Sequence, residues 1–349
     1  MPTRAIVSAL VAAALFGLSA PAAKVLLAVT DPFLLAGILY LGSGFGLGLG
    51  RAATMAAGGG LREAPLRRAD VPWLLGATLT GGALGPILLL TGLVATPASQ
   101  AALLLNLEGV LTMTLAWLVF GEHIGPRVLV GMVAIAAGAV VLSWQTGAAD
   151  ALGRGPLLVA GACLAWAIDN NLTRRISGGD PVLIAAFKGG VAGGANLLIA
   201  LAAGVPGPGP AAALAGAGVG LLGYGVSLVL FVRALRELGA ARTSAYFSTA
   251  PFVGALASVV ALGEPLQARL AAGGSLMALG VWLHVTERHD HEHAHEPIEH
   301  DHLHEHDAHH QHDHPGATPA ATPHSHRHAH APERHAHPHY PDLHHRHLH

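Results

Sequence analysis

The sequence has very little charge for its length. Asp, Glu, Lys and Arg make up 11% of the 349 residues, whereas hydrophobic residues make up 52%. A soluble domain needs roughly a quarter of its residues charged, because polar side chains must cover its core. This shortage excludes a soluble protein for most of the chain and predicts an integral membrane protein, with the lipid bilayer as its first partner.

Cysteine and the motifs of enzymes are scarce as well. The one cysteine, Cys163, lies inside an apolar run, so neither a disulfide framework nor a cysteine-based metal site is expected. We find no nucleophile–base pair, phosphate-binding loop or nucleotide motif. The sequence therefore predicts neither an enzyme nor an ATP-driven pump, and we expect no required cofactor and no nucleic-acid partner.

Long apolar runs fill the chain up to residue 285. A run of about 20 apolar residues matches a hydrocarbon core roughly 30 Å thick. The predicted class is an all-α integral membrane protein with ten transmembrane helices. The ten spans are expected near 5–28, 32–50, 72–93, 97–119, 126–144, 155–174, 181–203, 212–233, 243–262 and 267–285.

One motif occurs twice, which indicates that half of the membrane part is a duplicate of the other. A Gly-Glu pair is followed at fixed spacing by two glycines, and the two copies superimpose without a gap. The copies are Gly121-Glu122, Gly131, Gly138 and Gly263-Glu264, Gly273, Gly280. Phe16 likewise pairs with Trp166, and Asp31-Pro32 with Asp180-Pro181. Internal repeats in a polytopic chain are typical of transporters, with the substrate site where the halves meet.

The two predicted repeats cover residues 4–144 and 155–285, each with five spans. Lys and Arg concentrate on one side of the predicted spans, which by the positive-inside rule places both termini in the cytoplasm of a multi-pass inner-membrane protein. Because five is an odd number, the halves cross the membrane in opposite directions. This is an inverted repeat, a design in which one midplane site can open to alternate sides.

With these motifs, the membrane part resembles the EamA family of the drug/metabolite transporter superfamily. The resemblance rests on the segments Leu105–Glu122 and Ser248–Pro265 and on the paired glycines that follow each of them. Half one has Gly109 where half two has the usual proline of the family, Pro251. The resemblance implies a secondary carrier that exports amino acids, other metabolites or drugs. A homodimer is compatible with it.

Five polar residues within the spans are the candidates for a substrate or coupling site: Glu108, Asn106, Asp169, Asn170 and Lys188. A carboxylate in mid-bilayer is costly unless it is paired or faces a cavity, so Glu108 is either a substrate-amine or proton site or a carboxylate satisfied by a neighbouring helix. Asp169 and Lys188 lie at comparable depth in adjacent spans and should pair. Their pair is either a structural salt bridge or a gated polar patch in the cavity.

Three further charged residues have simpler interpretations. Lys24 lies near the end of the first span, where a long side chain can extend to water. Glu122 and Glu264 lie in turns before a new helix, where we expect them to act as caps.

The segment 286–349 has a different composition and is expected to be a disordered cytoplasmic tail. All histidines except His123 and His284 lie in it, in a His-x-His alternation that suits chelation of Zn, Ni, Co or Cu. The first candidate ligands are His289, His291, His293, His295, His300, His302, His304 and His306. An expression tag would be a pure histidine run, whereas Asp, Glu, Pro and Arg interrupt this one.

Three functions remain open on this basis. The first is a secondary exporter of a small organic solute. The second is a divalent metal exporter, for which the spans offer a poor ligand set of few carboxylates, Cys163 and His284. The third is a metal buffer or sensor that the membrane part merely anchors, for which an inverted repeat would be unnecessary.

Overall fold

The computed structural model describes most of the membrane part and four short segments of the tail. The described residues are 2–57, 66–120, 124–144, 153–176, 179–238, 243, 246–286, 290–294, 299–304, 324–329 and 334–338. The Gly121-Glu122 motif, His289, His295 and His306 lie outside them. Within 2–286 the described chain is built from helices, so the predicted all-helical class is confirmed.

The first half contains seven α-helices, because its third and fourth spans are each divided. They are α1 (Pro2–Leu26), α2 (Pro32–Ala56), α3 (Val71–Ala77), α4 (Gly85–Val94), α5 (Ala98–Leu104), α6 (Leu107–Phe120) and α7 (Pro126–Ser143). A 3₁₀ turn, Arg68–Asp70, precedes α3, and a π-helix, Thr78–Leu84, joins α3 to α4.

The second half has corresponding elements. They are α8 (Arg154–Arg174), α9 (Pro181–Ala202), α10 (Pro210–Gly220), a second π-helix (Leu221–Val226), α11 (Ser227–Leu238), α12 (Ala250–Leu262) and α13 (Ala268–Val285). Residues 243, 246 and 247 are helical as well, so the ninth span is divided before α12, as the fourth span is before α6. Pro251 explains this in part, since proline is tolerated in the first helical turn and not further inside.

Asp-Pro pairs begin the second span of each half. Asp31 accepts hydrogen bonds from Phe33 N (2.8 Å) and Leu34 N (3.4 Å), and Asp180 accepts them from Val182 N (2.8 Å) and Leu183 N (3.1 Å). These bonds satisfy amides that have no partner within the helix, and the following proline fits the first helical position. The recurring sequence pair is therefore a recurring helix start.

Eight helical stretches of the described chain, some made of several of these elements, are long and apolar enough to cross a membrane, and α12 is a shorter apolar helix. Helix α8 is not among the eight, and it contains the polar run Asp169-Asn170-Asn171. Large apolar side chains point outward, as in Phe45, Leu214 and Val260, which are 72%, 77% and 75% exposed. Such a surface is stable against lipid and not against water.

Glycines of the two halves contact each other where α7 crosses α13. A Cβ on Gly131 would lie 2.9 Å from Gly280 O, and one on Gly138 would lie 2.7 Å from Gly273 O. The reverse contacts are as close, at 2.5 Å from Gly280 to Gly131 O and 3.0 Å from Gly273 to Gly138 O. The helices run antiparallel with their backbones in contact, so the repeated motif glycines are the interface between the halves.

Helices α2 and α9 form a second antiparallel pair of the same kind. A Cβ on Gly37 would lie 3.1 Å from Gly193 O, and one on Gly44 would lie 2.5 Å from Gly190 N. The first span of each half packs against the other half: α1 contacts α11 and α12, and α8 contacts α4 and α6. Corresponding helices thus meet in opposite directions, as an inverted repeat requires.

Four short segments of the tail are described as strands. Asp290–Ala294 pairs antiparallel with Arg334–Pro338, and Glu299–His304 pairs with His324–Ala329. Backbone hydrogen bonding alone can pair extended segments, which is why a sequence without a hydrophobic face need not stay unpaired. For the rest of the tail, disorder stays a prediction.

Candidate transport site

Glu108 lies at the break in the fourth span. Helix α5 ends at Leu104 and α6 begins at Leu107, so Glu108 occupies the first turn of α6, where the helix dipole favours a carboxylate. Asn106 lies within the break and donates to Leu103 O (2.8 Å). The predicted candidate Asn106 thus stabilises the end of α5, while Glu108 is left to contact the neighbouring helix.

Asn170 of α8 is that contact. Its Nδ2 donates to Glu108 Oε1 (2.8 Å) and lies 3.3 Å from Thr112 Oγ1. Asn170 is exposed and Glu108 is half-buried, so this pair is accessible from outside the protein core. Among the described residues no cation lies within salt-bridge distance of Glu108. The hydrogen bonds that the described residues make to this carboxylate come from neutral groups.

Asp169 and Lys188 form the ion pair that the sequence predicted. Lys188 Nζ lies 2.6 Å from both Asp169 Oδ1 and Asp169 Oδ2, and Thr173 Oγ1 donates to Oδ1 (2.8 Å). The two side chains are 9% and 17% exposed. Because Asp169 and Asn170 are adjacent in α8, the ion pair and the Glu108–Asn170 pair form one polar cluster. Their role in transport stays a prediction.

The first π-helix supplies a carbonyl to this cluster. Gly85 N bonds to Thr80 O, five residues back, which is the π-helical pattern. By the same pattern Gly81 O should bond to residue 86, but Pro86 has no N–H. Gly81 O instead accepts from Tyr40 Oη (2.8 Å) and Trp166 Nε1 (2.9 Å). The proline thus frees a carbonyl that two side chains then occupy.

Aromatic rings extend from the cluster to the second π-helix. Tyr40 lies 5.6 Å from Tyr224 of the second π-helix between ring centroids, and Tyr224 lies 6.0 Å from Phe16. Phe16 in turn contacts Phe247 at 5.5 Å. Aromatic pairs at these separations are attractive beyond the area they bury. The cluster therefore lies at the boundary where the two halves meet.

The corresponding positions of the other half carry no charge. When the two copies are aligned, Asp169 corresponds to Ser19, Lys188 to Leu39 and Glu108 to Ala250. The contacts correspond too, because Gly81 faces Asp169 and its counterpart Gly223 faces Ser19. Only one of the two symmetric positions thus carries charged side chains.

Charged side chains also join elements at both ends of the bundle. At one end Arg51 of α2 pairs with Asp180, which is buried and caps α9. At the other end Lys24 donates to Thr96 O (3.0 Å), Val94 O (3.2 Å) and Leu93 O, carbonyls in the last turn of α4 and just after it. Lys24 therefore satisfies carbonyls that have no partner within a helix, a contact that the sequence did not predict.

Glu264 caps a helix, though not the one that follows it. Its Oε1 and Oε2 accept from Ala98 N (2.6 Å) and Ser99 N (2.9 Å) at the start of α5. The preceding Gly263 ends α12 with a φ of 68°, which favours glycine. Lys24 and Glu264 thus hold the two sides of the α4–α5 connection. They line a cleft of about 380 Å³ together with Gln100, Gln267 and Arg269. Glu122 lies outside the described residues.

Four contributors were missed at the level of sequence: Tyr40, Gly81, Trp166 and Arg51. A π-helix has no periodicity that distinguishes it from an α-helix in an apolar span. The spacing of Gly81 and Pro86 was the available signal. For the predicted metal ligands, His291, His293, His300, His302 and His304 lie in the strands. Among the described residues there is no group of three or more His, Cys, Asp or Glu side chains that could hold a metal ion.

Comparison with known proteins identifies the class. The EamA-like transporter family model matches residues 3–144 and 153–286. An uncharacterized transporter of Methanothermobacter thermautotrophicus is 30% identical over 290 residues, which cover 79% of this chain and 84% of the relative. An uncharacterized protein of Pseudomonas aeruginosa is 32% identical over 193 residues, covering 55% of this chain and 66% of that protein.

A solved crystal structure has the same fold. It superimposes with a TM-score of 0.59 at 23% sequence identity and covers 80% of this chain and 94% of that one. Taken with the long apolar helices, these matches define a multi-pass membrane transporter of the drug/metabolite transporter superfamily. The chain belongs to the EamA-like transporter family.

Proposed function

We propose that this transporter exports a small organic solute by alternating access, and that the polar cluster of Glu108, Asn170, Asp169 and Lys188 is its substrate and coupling site. The observation that supports this is the Glu108–Asn170 pair. It combines a carboxylate at bilayer depth with an exposed amide and no cation partner among the described residues. A carboxylate retained at such a cost serves a substrate amine or a proton.

The asymmetry of the cluster also supports one site per chain. Its counterparts Ser19, Leu39 and Ala250 carry no charge. A single site at the boundary of inverted halves can open to either side as the halves rock against each other. Transport is coupled to an ion or solute gradient.

The test compares a deletion strain and an overexpression strain on a panel of amino-acid analogues and divalent metals. The compound with the largest change in tolerance is then used in an efflux assay. Glu108→Gln should abolish or strongly reduce efflux at unchanged membrane content. Asp70→Asn, which removes a carboxylate at the start of α3, is the matched control and should export normally. Full efflux by Glu108→Gln would show that Glu108 is not part of the substrate and coupling site.

We propose that the chain lies in the inner membrane with both termini in the cytoplasm. The support is the distribution of cations, since the segments assigned to the outside hold only Arg154 and Arg269. Reporter fusions after Asp31, Gly207 and Glu264 should then be external, and fusions after Arg68, Arg175 and the tail internal. A tail on the outside would overturn this orientation.

A second proposal concerns divalent metals. The histidine tail binds Zn, Ni, Co or Cu in several exchangeable sites and either buffers the metal or regulates transport. The backbone register supports it, because His291 lies opposite His337, His293 opposite His335 and His302 opposite His326. Export of the metal itself is the alternative function. Under that alternative, removal of the tail raises the metal concentration needed for efflux and sensitises cells.

A further inference from the structure

We propose that Gly81 is a positioning residue of the transport site. Its lack of a side chain leaves room for the Asp169 carboxylate beside Lys188, and its carbonyl holds this part of the backbone at the boundary between the halves. The inference rests on the proposed function for its role in transport. The positioning of Asp169 by Gly81 is argued from contacts that do not depend on the proposed function.

The first observation is the space at Gly81. A Cβ at this position would lie 1.8 Å from Asp169 Oδ2 and 2.3 Å from Asp169 Cγ. No carboxylate can remain there beside a side chain, so any other residue at position 81 must displace it. Moving the carboxylate disturbs three bonds, because both oxygens bond to Lys188 and Oδ1 also accepts from Thr173.

The second observation is the carbonyl of the same residue. Pro86 removes the N–H that would continue the π-helical ladder, and Tyr40 and Trp166 take its place on Gly81 O. Tyr40 lies on α2 and Trp166 on α8, one turn before Asp169. The backbone at Gly81 is therefore fixed from two sides, with its Cα facing the carboxylate.

The counterpart in the second half shows what is particular to Gly81. Gly223 also faces a neighbouring helix closely, since a Cβ there would lie 2.8 Å from Ser19 Cβ. The residue five positions after it is Leu228, which has the N–H that Pro86 lacks. The counterpart of Trp166 is Phe16, whose side chain cannot donate a hydrogen bond. Both halves thus have a glycine in the π-helix. Only Gly81 has a proline five residues later and faces a carboxylate.

The ion pair can be followed without knowing the substrate. Dicyclohexylcarbodiimide enters the bilayer and reacts with protonated carboxyl groups, and an ion-paired carboxylate is protected from it. Mass spectrometry of the full-length protein in membranes then gives the modification at each carboxyl. Glu108, which has no cation partner among the described residues, is the internal reference. Lys188→Met sets the level for an unpaired Asp169.

Gly81→Ala should raise the modification of Asp169 about tenfold, to the level of Lys188→Met, as expected for losing a charge-assisted hydrogen bond. Gly161→Ala is the matched control, because its Cβ would lie 3.5 Å from Leu88 Cδ1, an ordinary contact. It should leave Asp169 protected. If Asp169 in Gly81→Ala is as protected as in the wild type, the positioning role is wrong.

A second variant tests the carbonyl without adding bulk. Tyr40→Phe combined with Trp166→Phe removes both donors to Gly81 O, and phenylalanine is already present at the counterpart of Trp166. Modification of Asp169 should again increase. An unchanged level would show that the hydrogen bonds to Gly81 O do not position the ion pair. These results are independent of export. Loss of the proposed function is instead judged by efflux of Glu108→Gln.

Discussion

Removing one partner of the Asp169–Lys188 pair should be more damaging than removing both. Lys188→Met leaves a carboxylate that is 9% exposed without its cation, and Asp169→Asn leaves an ammonium that is 17% exposed. Breaking a buried pair in this way costs about 3–5 kcal/mol, whereas replacing both charges is often neutral. Because Thr173 still bonds to Asp169 in the first variant, we expect about 3 kcal/mol for each single change.

The double variant should lose no more than about 1 kcal/mol, which leaves a coupling energy of several kcal/mol between the two sites. Cys163 provides the assay, because it is the only cysteine and is fully buried. A thiol-reactive fluorogenic dye then reports unfolding during heating in detergent. Each single variant should show a clearly lower midpoint, and the double variant should recover most of the difference.

The matched control is Leu39→Met, at the position of the first half that corresponds to Lys188. It changes side-chain shape in the same part of the repeat without removing a charge, and should cost less than about 1.5 kcal/mol. If the effects of Asp169→Asn and Lys188→Met simply add in the double variant, the pair does not stabilise the bundle, and the geometry has been misinterpreted.

Three further outcomes are expected. Glu264→Ala should lower the free energy of unfolding by about 1–2 kcal/mol through loss of the cap on α5, seen as a lower midpoint in the same assay, with a smaller effect for Glu264→Gln, which keeps an acceptor. Gly138→Leu should destabilise by about 1–3 kcal/mol or more because its Cβ would meet Gly273 O at 2.7 Å, whereas Gly109→Leu, which meets nothing within 4 Å, should be neutral. A chain that ends at Arg288 should insert and export normally but lose Zn and Ni binding. In the full chain this binding should weaken below about pH 6, because imidazoles become protonated. If calorimetry shows that the shortened chain still binds metal, the metal sites lie outside the tail.

The helical class followed from composition, because no soluble fold can be built with so few charges. Helix starts at Asp31 and Asp180 and the inverted arrangement also followed, since caps and repeats are local patterns. The pairing of Asp169 with Lys188 could be predicted because two opposite charges in adjacent spans have few alternatives. For Lys24 and Glu264 the sequence indicated the kind of group but not its partner, which lies far along the chain.

The π-helices, the division of the fourth span and the contacts of Tyr40 could not be predicted. A π-helical turn differs from an α-helical one by a single residue, and an apolar span has no polar face that would reveal the shift. Tyr40 and Trp166 are ordinary residues of a membrane helix until Pro86 leaves a carbonyl for them. Their role depends on a backbone that only the folded chain defines.

The reciprocal glycine contacts between α7 and α13 have a consequence for the origin of the chain. Gly131 meets Gly280 and Gly138 meets Gly273, so each motif glycine packs against the equivalent region of the other copy. A five-span ancestor inserted in both orientations would form the same interface as a symmetric antiparallel dimer. In such a dimer every substitution appears twice. In a single fused polypeptide that constraint is absent, so one half can hold the Asp169–Lys188 pair while the corresponding positions of the other hold Ser19 and Leu39.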